Sequence, residues 1–335
     1  MKSIELQDEL FRGAVSLERT SKGVKPWRIH FGEAPLFYER FVDRAGMTAG
    51  VRLRFWSDTE RVQVEFLPGP GERQIDCVVD GELVATAEIA ADQSAATFEG
   101  LPAREKWVEL YLPQAAPMQV CALRVDDEAI VRVEPDDRPR WVTYGSSITQ
   151  CASAASPAQT WPALVARRND LNFTCLGYRG ECHIEPMVAL MMRDLPADFI
   201  SLCLGINVQA SETLGPRTFR SAVIGFLKIL RERHATTPIA VISPIISPPR
   251  ETRENKLGLS LEKMRAEIQT AVDILRQLGD ENVHYVNGLE LFGSGDLEHL
   301  PDQVHPDAEG YRIMAARFEE CVLKRVVPYL ANRRR

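Results

Sequence analysis

The spacing of apolar residues along the chain changes near residue 138. Upstream of that point it has period two. "VRLRFWSD" (51–58), "RVQVEFLP" (61–68) and "KWVELYLP" (106–113) alternate apolar and polar positions, so each predicted strand has one buried and one wet face. "IDCVVDGELVATAEI" (75–89) carries two strand-like runs around Asp80-Gly81, a hairpin signal. No long amphipathic helix is found in this half. Residues ~20–135 therefore read as an all-β sandwich of jelly-roll type.

"EPDDRPR" (134–140) is charged and proline-rich, a linker pattern. Beyond it, continuous apolar runs alternate with helical stripes. "RWVTY" (140–144), "LNFTCLG" (171–177), "DFISLCLG" (198–205), "PIAVISPI" (238–245) and "VHYVNG" (283–288) predict five strands. "PAQTWPALVARRN" (157–169) and "PMVALMMRDL" (186–195) predict helices, as do three later stripes. Phe219, Val223, Phe226 and Leu230 mark the first stripe; Leu261, Met264, Ile268, Val272 and Leu275 the second; Tyr311, Met314, Phe318 and Val322 the third. Nearly all-apolar strands alternating with helices imply a parallel sheet covered on both faces. The expected fold is a three-layer αβα, flavodoxin-like domain over 138–335, preceded by a β-sandwich domain over 1–137.

Composition narrows the function. With 45% hydrophobic and 26% charged residues the chain is ordinary globular material, and a net charge of −7 argues against a general nucleic-acid binder. The one basic run, "RRR" at 333–335, reads as a solvated tail. "MKSIELQDELFRG" at the N-terminus lacks an apolar signal region, and no window approaches ~18 uninterrupted apolar residues. Neither a secretory signal nor a membrane span is expected. The seven cysteines are odd in number and form no CxxC pair, which suits buried thiols in a cytoplasmic, reducing compartment. "ECHIE" (181–185) clusters Cys182 and His183 with two glutamates, but without the ligand spacing of zinc sites. No metal and no cofactor are expected.

Open parallel sheets place their sites beyond the carboxyl ends of the strands. Gly145-Ser146-Ser147 follow the first predicted strand, "GYRG" (177–180) the second, and "GIN" (205–207) the third, while "PDQVHP" with Asp302 and His305 follows the fifth. Each has a use in acyl transfer. A serine hydroxyl needs a base to become nucleophilic; His305 is the candidate base, and Asp302, three residues earlier, can orient its ring. Gly180 N–H, the Asn207 amide and the N–H of the nucleophile are candidate oxyanion donors. Either Ser146 or Ser147 could be the nucleophile on this reading.

At these residues the chain resembles the SGNH, or GDSL-type, hydrolases. "GSSIT" (145–149), "LGYRG" (176–180), "LGIN" (204–207) and "DQVHP" (302–306) occur in the order of that family's four blocks. The resemblance covers residues ~140–330. It implies that Ser147 is the nucleophile, with His305 its base, Asp302 the orienting residue, and Gly180, Asn207 and Ser147 N–H the oxyanion hole. Ser146 stands where the family has aspartate, which removes an acceptor that shapes the turn and leaves a rival serine beside Ser147. Arg179, before the second glycine, is either an attractor for an anionic substrate group or solvated. His183 is expected to line the pocket. Trp56 and Tyr38 either stack on a sugar or belong to the sandwich core.

The expected activity is serine esterase chemistry on a short acyl ester, with a sugar or other polyol as the alcohol. The alternative is an acyltransferase that passes an acyl group from a thioester donor to an alcohol. A third reading is a carbohydrate- or partner-binding protein with a degenerate catalytic half.

Overall fold

The computed structural model describes residues 1–71 and 73–330; the arginine run at 333–335 lies outside the described residues. Eight central strands of the N-terminal half span Gly23–Trp27, Arg52–Ser57, Val62–Phe66, Arg73–Val79, Glu82–Ile89, Ala95–Phe98, Lys106–Tyr111 and Val120–Val125. Counted in that order they pair 1-8-3-6 in one antiparallel sheet and 2-7-4-5 in the other, which is jelly-roll connectivity. At the predicted hairpin, Asp80 (φ 49°) and Gly81 (φ 83°) both have positive φ, as a type I′ turn requires. Short outer strands extend the sandwich back to Lys2, well before residue 20, because strands this short carry no period of their own.

The structure adds one element to this half and corrects one expectation. First, a helix, Glu39–Ala45, interrupts the β pattern after the 3₁₀ segment Phe31–Leu36. It is only seven residues long, and its buried positions are Phe41 and Ala45, too few to register as a helical stripe. Second, the polar faces of two central strands are not wet. Arg52, Arg54 and Glu109 are buried. The Glu109 carboxylate collects Arg52 (3.3 Å), Arg54 (3.5 Å) and Arg138 of the linker segment (3.1 Å). Burial alone would push the Glu109 carboxyl up; the guanidinium groups of Arg138, Arg52 and Arg54 outweigh it and hold the carboxyl below its ordinary value.

The C-terminal half forms a five-stranded sheet from Arg140–Gly145, Asn172–Gly177, Phe199–Cys203, Ile239–Ile242 and Val283–Val286. The order is second-first-third-fourth-fifth, and every pairing is parallel. This is the doubly wound order whose chain reversal falls between the first and third strands. Helices Trp161–Arg168 and Ala308–Phe318 pack together, while Pro186–Asp194, Pro216–Arg231 and Leu261–Gln277 form a second group. Among the described residues no helix is long and apolar enough to cross a membrane.

The cores do not divide at the linker. The sandwich interior is one cluster, centred on Phe55, Val64 and Leu110. Trp27, Ile29, Phe41, Ala45, Val78 and Tyr111 instead join the cluster built around Trp141, Phe173 and Tyr178. Full burial of one such side chain contributes roughly 1.5–3 kcal/mol. Trp27, Ile29, Phe41 and Ala45 make the segment around 27–49 part of the second half's core rather than a tethered module, and Val78 and Tyr111 join it from the sandwich strands.

Candidate active site

The first strand ends at Gly145 and turns at once into the short helix Ser147–Gln150. Ser146 is its N-cap, with Oγ accepting the N–H of Ile148 at 3.2 Å. The serine that stands for aspartate therefore supplies the turn acceptor itself, which corrects the expectation of a missing one. It also lines a small apolar space with Ile148, Cys203 and Ile242. Ser147 takes the first helical position, where a helix start leaves the backbone N–H without an intrahelical partner. A side chain on Gly177, at the end of the second strand, would lie 2.4 Å from Gln150 N, so the close approach of this turn demands glycine there.

Ser147 Oγ lies 2.8 Å from His305 Nε2, and His305 Nδ1 lies 2.5 Å from Asp302 Oδ2. An ionised carboxylate can only accept, so Nδ1 carries the proton and Nε2 of the neutral ring is free to accept from the serine. Asp302 Oδ1 also receives the N–H groups of Val304 (3.0 Å) and His305 (2.7 Å). Partial burial pushes the Asp302 carboxyl up, but the hydrogen bonds from the His305 ring, His305 N–H and Val304 N–H prevail and hold it at about 2.

Gly180 follows the second strand and Asn207 the third, so the strand carrying Ser147 stands between them. Gly180 has φ +77°, a conformation that glycine adopts without strain. The N–H of Cys182 donates to Asn207 Oδ1 at 3.1 Å. A backbone N–H can only donate, which fixes the amide orientation and leaves the Asn207 NH₂ as the end free to donate elsewhere. The structure thus brings together Ser147, His305 and Asp302 by direct contact, with Gly180 and Asn207 on the flanking strand ends.

The two expected pocket residues differ. Arg179 is exposed, with its N–H held by Gln150 Oε1 at 2.9 Å. His183 donates from Nε2 to the Gly180 carbonyl (3.0 Å) and accepts at Nδ1 from Thr213 (3.1 Å). It lines a cavity of about 640 Å³, together with Tyr38, Arg40, Gly180, Glu185 and Phe226; Ser147 and His305 do not line it. Burial, then the charge of Glu181, pushes the Glu185 carboxyl up to about 7. Cys182 turns its thiol to the Cys203 carbonyl. Among the described residues no group of three or more His, Cys, Asp or Glu is placed to hold a metal.

Sequence reasoning missed Arg28 and Arg40, both of the N-terminal half. Arg40 Nε pairs with buried Glu181 at 2.7 Å, and its guanidinium lies over Gly180. Tyr38, weighed as a sugar platform or a core residue, is 68% exposed, so it is not core. Trp56 faces the guanidinium of Arg132 at 4.4 Å.

Comparison with known proteins follows the same division of the chain. Residues 139–323 match the model of the GDSL-like lipase/acylhydrolase family, and residues 10–120 match that of the SsfX3 N-terminal domain. A salicylyl-acyltransferase, SsfX3, from a tetracycline biosynthetic pathway is 33% identical, with TM-score 0.90 over 97% of this chain and 98% of that one. A putative GDSL-like lipase from Bacteroides ovatus is 22% identical, with TM-score 0.82 over 98% of each chain. A family two carbohydrate esterase from Clostridium thermocellum shares the fold at 15% identity and TM-score 0.64, covering 84% of this chain and 94% of its own. None of the curated proteins searched matches. The chain belongs to the GDSL-like lipase/acylhydrolase family, in the two-domain form with an SsfX3-type N-terminal domain.

Proposed function

We propose that the protein is a serine acyltransferase that moves an acyl group from a thioester to an alcohol through acyl-Ser147. The observation that carries the acyl-enzyme is the chain of contacts from Ser147 Oγ to His305 and on to Asp302. Ser147 Oγ attacks the thioester carbonyl while His305 Nε2 takes its proton. The developing oxyanion meets Ser147 N–H, Gly180 N–H and the Asn207 amide. Collapse breaks the C–S bond, and the thiol leaves with the proton from His305. An alcohol then gives its proton to His305 and attacks the acyl-serine, which releases the ester and restores Ser147. The imidazolium formed in each half is stabilised by Asp302, whose low carboxyl value keeps it ionised at neutral pH.

Support for transfer over hydrolysis is the 33% identity across both halves to a protein named as an acyltransferase. The family two carbohydrate esterase cited above is 15% identical. The second reading is an esterase acting on a short acyl ester of a sugar or other polyol. It is favoured by the side-chain exposure of His305 (32%) and Asp302 (55%), which lets water reach the base. The seven cysteines, all free, suit a cytoplasmic setting. To decide, the protein is incubated with an acyl thioester and a panel of alcohols, and ester product is measured against free acid. Ester that depends on both the alcohol and Ser147 is expected; free acid alone, whatever the alcohol, would leave the esterase reading in its place.

A further inference from the structure

The loop bearing Gly180 is fastened from the N-terminal half by two arginines: Arg40 pairs with Glu181, and Arg28 holds the strand end that leads into the loop. The second strand lies at the open edge of the parallel sheet. Alternate carbonyls of a strand point to the same side, and at this edge they meet two buried arginines. Arg52 donates to Phe173 O at 3.0 Å. Arg28 donates through Nη1 to Cys175 O at 3.3 Å and to Gly177 O. The edge that would otherwise be unpaired at its active-site end is closed by one guanidinium.

The other donors of Arg28 fix its own place. Nε donates to Met47 O at 2.6 Å and Nη2 to Arg44 O. Arg28 is fully buried, and among the described residues no carboxylate pairs with it; carbonyl oxygens alone satisfy it. Next in the loop, Tyr178 lies 4.9 Å under the guanidinium, and its hydroxyl donates to Arg28 O at 2.5 Å. Glu181 N–H then closes the turn onto Tyr178 O at 3.0 Å. Gly180 is therefore hung between two residues that are both tied to Arg28, directly or through Tyr178. A planar fork can span carbonyls from three segments; a lysine ammonium cannot.

We propose that Arg28 is a positioning residue for the oxyanion hole: it sets where the Gly177–Gly180 loop sits relative to Ser147. The inference rests on the acyl-serine reading above. It makes the N-terminal half a working part of the catalytic site rather than an accessory module.

The test compares the full chain with Arg28→Lys and Tyr178→Phe on an activated p-nitrophenyl ester and on a fluorophosphonate. Both reagents form a tetrahedral centre at Ser147. For Arg28→Lys, kcat is expected to fall about 10²-fold with KM changed less than about 2-fold, and phosphonate inactivation to slow in the same proportion. Tyr178→Phe should lose about 10-fold in both. The pH–rate profile should keep its midpoint. A role as domain glue alone would lower the melting temperature and leave both rates unchanged in the folded protein, and that result overturns the proposal. If Arg28→Lys does not fold, Tyr178→Phe, which removes one hydroxyl and leaves the ring, decides by the same rates. An unaltered chain that is not labelled at Ser147 would instead sink the acyl-serine reading itself.

Discussion

Ser146 Oγ accepts the N–H of Ile148, which makes the residue beside Ser147 the cap of the turn that presents it. Its oxygen is spent on the backbone, and the neighbouring hydroxyl is the one that faces His305. On the acyl-serine reading the two serines divide between structure and chemistry. Ser146→Ala should cost about 1 kcal/mol of stability and retain labelling by a fluorophosphonate. Ser146→Asp should hold the turn at least as well. Thermal melting and mass-spectrometric mapping of the labelled peptide check both; a label that moves to residue 146 in the unaltered chain would reverse the assignment.

His305→Ala should abolish the labelling of Ser147. Asp302→Asn should slow it roughly 10³-fold or more, because the ring loses the partner that holds its tautomer. Both variants remove a surface contact and should fold. Labelling rates in Asp302→Asn within a few-fold of the unaltered chain would mean that Asp302 only shapes the loop.

Glu185 gives a pH signature. Its carboxyl is raised from an ordinary 4.5 to about 7 by burial and by Glu181. The folded state therefore holds a proton that the unfolded chain gives up first. Its contribution to stability is fully present below about 4.5 and is lost as pH rises toward about 7. Glu185→Gln, which cannot ionise, should match the unaltered protein near pH 4.5 and melt at a higher temperature at pH 8. Equal melting curves at both values would count against it.

Glu109 ties the sandwich to the linker electrostatically. Removing it by Glu109→Ala leaves Arg52, Arg54 and Arg138 buried without their shared carboxylate, at an expected cost of about 3–5 kcal/mol. Because residues near 27–49 share a core with the second half, the unaltered chain should melt in one calorimetric transition. Two separate transitions would show that the shared core does not couple the halves.

Much of this protein is written locally. The switch from period two to apolar runs with helical stripes marks the β-sandwich and the parallel sheet apart, because strands and helices answer to neighbours only a few residues away. The candidate site residues are legible as motifs: Ser147, Gly180 and Asn207 follow strand ends that periodicity can find, whereas Asp302 and His305 lie well beyond the last strand and are legible only by the spacing of an aspartate and a histidine. The helix Glu39–Ala45 escaped because seven residues carry too little pattern, and the buried polar faces of Arg52 and Glu109 looked wet because alternation does not say what lies across the sheet.

What tertiary structure alone decided is which half touches what. Arg28 meets Cys175 and Gly177 across separations of 147 and 149 residues, and Ser147 meets His305 across 158. The second of these pairs was found because both partners bear recognisable chemistry. The first was not, because its acceptors are backbone carbonyls, which every residue has. A guanidinium that binds carbonyls leaves no partner letter in the sequence, so only the folded chain reveals what it holds.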